Sequence, residues 1–168
     1  MKDRPASRLP WVSRALPYFM VWLAMRALYF LYLGSQHAEY RLAAEAGFGP
    51  VLWGAELAFA FLGVGAAVGM WLRWRHTMAL AIAASGLYTS ITLFQLWQME
   101  QDPGRARMAY VASRAARGLP VPDDRLDQMF SESGRRVTWA IGGVFCLVPL
   151  GVLLWRRRDF EPVEETAP

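Results

Sequence analysis

At 168 residues, 55% hydrophobic and with a net charge of +4, the chain has room for several membrane spans and little else. Its positive charge rests almost wholly on arginine, Lys2 being the sole lysine, and gathers at the ends of apolar blocks and in one polar loop. That distribution excludes a basic nucleic-acid module, and the single cysteine, Cys146, excludes an internal disulfide or a CxxC redox centre.

Residues 1–14 read as a basic cytoplasmic lead-in, broken by Pro5 and Pro10 and carrying Trp11 at a membrane boundary. The first apolar block, 15–34, is too long for a signal-peptide core, is interrupted by Arg26 and is followed by no small-residue cleavage motif. It therefore reads as a retained span, with Pro17 in its first turn. A polar connection follows, in which residues 39–46 predict a short surface helix stopped by Gly47.

The second block, 51–72, is apolar throughout except for Glu56. At about 1.5 Å per residue it crosses a hydrocarbon layer about 30 Å thick. A tight basic turn through Arg73, Arg75 and His76 leads to the third span, 77–98. The loop 98–136 carries helix punctuation of its own. Asp102 caps a helix that opens with Pro103, and Gly118 stops it; Leu119-Pro120-Val121-Pro122 is an extended break. Asp123 then caps a second helix whose Leu126, Met129 and Phe130 make an apolar stripe. A fourth span, 137–155, contains Pro149 and is followed at once by Arg156, Arg157 and Arg158, and residues 156–168, acidic from Asp159 onward, read as a cytoplasmic, disordered tail.

The predicted fold is all-α: a polytopic membrane protein with one transmembrane domain, 15–155. Its four spans form a bundle, and a short helical hairpin stands outside the membrane between spans three and four. With both termini inside, nine cations face the cytoplasm and eight face outward. The short connections decide the orientation, being basic at 73–76 and acidic at 35–50. Abundant Ala, Gly and Arg with almost no Lys associates the sequence with a bacterial inner (plasma) membrane.

An ionisable group inside a span is costly and faces a partner, a cavity or a pathway. Counted from the outer ends of their spans, Arg26 lies about 12 Å deep and Glu56 about 7 Å deep. That offset suits an intramembrane ion pair, which reads first as a structural clamp and second as part of a substrate or ion site. On the third span Tyr88, Thr92 and Gln95 share one face with Ser85 and Thr89, and Gln95 lies near Glu56 in depth, giving a candidate polar pocket. On the second span Gly54, Ala58, Gly65 and Gly69 form a small-residue packing face, and Ala60, Gly63 and Ala67 lie opposite, near Glu56.

His37 and His76 lie outside the spans on opposite sides, which excludes an internal bis-His haem. No metal-ligand set, phosphate loop or nucleophile–base set is present. No cofactor, metal or catalytic residue is therefore assigned, and an enzyme is disfavoured. The leading expectation is a non-catalytic accessory or structural subunit. It would meet lipids, and either a larger membrane complex or a second copy of itself, through its spans and the loop 98–136. The alternative is a small transporter or channel with a polar site around Arg26 and Glu56.

Overall fold

The structure, a computed structural model, describes residues 10–121 and 123–160, apart from the side chains of Ser35 and Arg158. Most of the predicted basic lead-in, Pro122 of the extended break and the tail beyond residue 160 lie outside the described residues.

Among the described residues the chain is all-helical, with seven α-helices: α1 (Trp11–Leu33), α2 (Ala38–Glu45), α3 (Gly49–Leu72), α4 (Thr77–Gln101), α5 (Pro103–Ala116), α6 (Asp123–Phe130) and α7 (Glu132–Trp155). Four of them, α1, α3, α4 and α7, are long and apolar enough to cross a membrane. A helix satisfies its own backbone hydrogen bonds, which a span in hydrocarbon requires.

Helix α1 lies along α3, α3 along α4 and α4 along α7, whereas α7 touches α1 only slightly. Apolar burial gives no drive between helices in lipid, so close backbone approach through small residues carries the packing. At Gly63 an added Cβ would stand 3.3 Å from the Ala24 Cβ and 3.5 Å from the Met20 carbonyl. This α1–α3 seam continues through Ala60 and Ala67, with Met20 and Phe59 fully enclosed. The α3–α4 hairpin is equally tight, since a Cβ at Gly69 would meet the Thr77 hydroxyl at 2.7 Å.

The termini of the described chain are pinned together. Ser13 donates to Asp159 at 2.6 Å, Arg156 donates to Ser13 at 3.2 Å and pairs with Asp159 at 3.0 Å, and Phe160 is buried beside them. At the opposite end α2, α5 and α6 form a cap. Ala38, Leu42, Ala106 and Ala109 are its small core. Arg105–Glu45, Arg107–Asp127 and Arg135–Glu100 pair across its rim, and Ser113 donates to the Gln36 carbonyl at 2.6 Å. The predicted punctuation operates here: the Asp102 carboxylate accepts from the Arg105 N–H at 2.9 Å, and Gly118 takes φ +65°. Phe130 stands edge-on to Tyr110, so the α6 stripe folds back on α5.

Two boundaries differ from expectation for physical reasons. Helix α1 begins at Trp11 because the Pro10 carbonyl accepts from the Arg14 N–H. Pro17 consequently sits inside the helix, buried, and not in its first turn. Helix α7 begins five residues before its apolar block. Ser131 caps it through the Gly134 N–H at 3.1 Å, and Glu132 pairs with Arg136 one turn on.

Candidate functional site

Between the long helices, at their capped end, lies a cavity of about 560 Å³. Arg26 reaches it from α1, Glu56 from α3, and Tyr88, Thr92 and Gln95 from α4. On α4 the spacing of four and three residues puts these groups on one face. Helix α7 supplies Thr138, Ile141 and Phe145 to the other side, and the cap closes over the top with Tyr110, Met129 and Phe130.

Arg26 and Glu56 share the cavity but do not make the expected ion pair: among the described residues no carboxylate is in ion-pair contact with Arg26. Its Nη1 instead donates to the Tyr88 hydroxyl at 3.3 Å. The Glu56 carboxylate, only 7% exposed, accepts from Gln95 Nε2 at 3.4 Å. Depth along each helix permitted the pair. The rotation of each helix about its axis decides who meets whom, and it turns both charges toward α4.

The small-residue face of α3 also divides. Gly69 is buried and Gly65 half-buried, with the Leu80 side chain near it. Gly54 and Ala58 are exposed, and nothing lies within 4 Å of a Cβ built at Gly54. The close α1 contact runs along the opposite face through Ala60, Gly63 and Ala67. Glu56 lies on that face, so the acid is held inside the fold while Gly54 and Ala58 look outward.

The cap contributes two groups that sequence reasoning left in a connection. His37 Nδ1 contacts the Glu39 carboxylate, the His37 ring packs on Phe30 at 4.7 Å, and both residues line the cavity. Burial pushes the Glu39 carboxyl upward, but the hydrogen bond and charge of His37, with a backbone hydrogen bond and the more distant Arg26 charge, outweigh it, so the group sits below its ordinary value. The α7 wall was missed as well. Its sequence signal is Thr138 and Gly142, four residues apart on one face of the apolar run, and a Cβ at Gly142 would stand 2.8 Å from the Leu96 side chain.

The cavity is thus amphipathic, with the Arg26 guanidinium, the His37 imidazole, two partnered carboxylates and several hydroxyl and amide groups against apolar walls. Among the described residues no three His, Cys, Asp or Glu side chains are grouped to hold a metal ion. Its mouth faces sideways. Arg26 and Tyr29 on α1, and Ile141 (53% exposed) and Phe145 (37%) on α7, line the cavity while remaining open to the surroundings.

Four helices of span length and apolar composition make this a multi-pass membrane protein, all-helical among the described residues. No family model matches its sequence, and no curated protein or solved structure matches it.

Proposed function

We propose that this protein is a small membrane binding or carrier component that takes a ligand into its intramembrane cavity without chemically transforming it. The convergence of Arg26, Glu56, Tyr88, Thr92 and Gln95 on one cavity of about 560 Å³ carries this reading. That volume falls in the range of roughly 300–1,000 Å³ typical of small-molecule sites, and apolar walls with a few placed polar groups are their usual lining. The four spans would cross the inner membrane as a bundle, both termini in the cytoplasm and the cap outside.

Thiol reactivity tests whether the cavity is open and wet. Maleimides react with the thiolate, which forms where water or polar groups can stabilise it and not against lipid tails. In a Cys146→Ser background, Thr92→Cys should react with a small membrane-permeant maleimide at least ten times faster than Leu93→Cys, whose native side chain is exposed on the apolar surface of α4. Equal inertness at the two positions would mean a dry, purely structural interior.

A second reading is favoured by the outward-looking Gly54 and Ala58 and by the slight contact of α7 with α1. We infer that these surfaces could seat a helix of a larger complex, making the protein an accessory subunit. A stoichiometric partner retained through purification in mild detergent supports this, and a monodisperse lone monomer counts against it.

A further inference from the structure

We propose that the ligand is a single-chain amphiphile with an anionic phosphate or carboxylate head, entering sideways from the bilayer between α1 and α7. The proposal rests on the reading of the cavity as a ligand site and names what occupies it.

Unspent hydrogen-bonding capacity identifies the head group. A guanidinium has five N–H donors, yet Arg26 makes one long bond to Tyr88 and has no carboxylate in contact. Both acids of the cavity are already engaged, Glu56 by Gln95 and Glu39 by His37. Eight residues separate Arg26 from Gly34, placing it about 12 Å below that end of the helix. A cation there is costly, and the carboxylates of Glu56 and Glu39 act on it only from beyond ion-pair distance. A planar fork of donors matches the oxygens of a phosphate or carboxylate two at a time.

The walls identify the rest of the ligand. Leu23, Phe59, Ile91, Ile141 and Phe145 line the cavity beside Arg26 and offer an apolar chain its contacts. At about 560 Å³ the space is far larger than a bare anion needs. The mouth then dictates the route. The cap covers the end toward water, whereas the sideways opening is flanked by Tyr29 and Ile141, both within helices of span length. Toward the termini, Trp22 meets Phe145 at 6.3 Å and the Ser13–Asp159–Arg156 cluster ties α1 to the end of α7. The opening is therefore a window at membrane depth, with the cation at its sill.

The test is calorimetric titration of the full chain in phosphatidylcholine nanodiscs with decyl phosphate, decanol and inorganic phosphate, subtracting empty nanodiscs. Decyl phosphate should bind saturably at one site per chain. Arg26→Gln should weaken it at least tenfold, about 1.4 kcal/mol, and Arg26→Lys should weaken it less. Ile141→Trp, which narrows the window and leaves Arg26 in place, should slow or abolish the binding and guards against a folding defect in the Arg26 variants. Inorganic phosphate binding as tightly as decyl phosphate would overturn the proposal in favour of a water-borne anion. Decanol binding as well as decyl phosphate, indifferent to Arg26, would overturn the anionic head while leaving the cavity a ligand site. Failure of all three to bind, with an inert Thr92→Cys, would remove both the proposal and the reading beneath it.

Discussion

At the scale of single residues, the cavity's electrostatics depend on how each charge is accompanied. Glu39 is held below its ordinary value of 4.5 because His37, a backbone hydrogen bond and the Arg26 charge together outweigh the burial that pushes the carboxyl up. A depressed folded-state value stabilises the protein above the unfolded value, and that stability is lost as pH falls through the folded one. His37 supplies the largest of the influences that lower Glu39, so His37→Ala should move the carboxyl back up from its depressed value. The variant's stability deficit should then be full above about pH 4.5 and shrink as pH falls below it. Thermal unfolding in detergent across that range checks this, and a deficit independent of pH would contradict it. The residue scale is also where sequence reasoning reached its limit. Counting residues gives the depth of Arg26 and Glu56 to within a turn. It does not give the rotation of each helix, which turned Arg26 to Tyr88 and Glu56 to Gln95.

At the scale of elements, the legible features were those written locally. The Asp102 cap, the Gly118 stop and the length of each apolar block all act within a few residues of themselves. The joint between α6 and α7 depends on residues meeting after both helices form, and one glycine dominates it. A Cβ at Gly134 would lie 2.1 Å from the Gln128 carbonyl oxygen and 2.5 Å from that of Met129. These are backbone atoms, so the helices must separate to admit a methyl group. Gly134→Ala should therefore cost about 3 kcal/mol or more and loosen Met129 and Phe130 from the roof of the cavity. Gly143→Ala is the control, since its Cβ meets nothing within 4 Å and the change should be neutral or stabilising by up to about 1 kcal/mol. Chemical unfolding of both variants measures the difference, and similar costs would refute the role given to Gly134. The early start of α7 was hidden because Arg135 and Arg136 look like a span boundary, although Ser131 had already capped the helix.

At the scale of the whole molecule, exposed aromatics mark two levels. Trp11, Trp71, Trp74 and Trp155 stand at the end bearing the termini, and Tyr32, Trp53 and Trp97 stand at the capped end. The 21-residue rise from Trp11 to Tyr32 is about 31 Å, close to the hydrocarbon thickness of about 30 Å, and such rings favour the headgroup level. Tyr18, Trp22, Tyr29 and Phe61 break the pattern, exposed along the helices between the two levels, with Trp22 at the foot of the window. Four spans and a helical loop were legible because length and hydropathy are summed along the chain. The cavity was only half legible, since its cap and α7 walls join residues far apart in sequence. The proposed orientation predicts that Asp124→Cys, in a Cys146→Ser background, is labelled in intact cells by an impermeant thiol reagent. Trp74→Cys should label only after permeabilisation, and the reverse pattern would invert the molecule.

The proposed occupant of the cavity is an anionic amphiphile drawn from the bilayer. Mass spectrometry of the small molecules that remain with the full chain, extracted from its own membrane in mild detergent, tests it most directly. One anionic single-chain amphiphile should be enriched to about one per chain and be absent from the Arg26→Gln variant. Recovery of lipids only in the proportions of the bulk membrane, unchanged by that substitution, would contradict it.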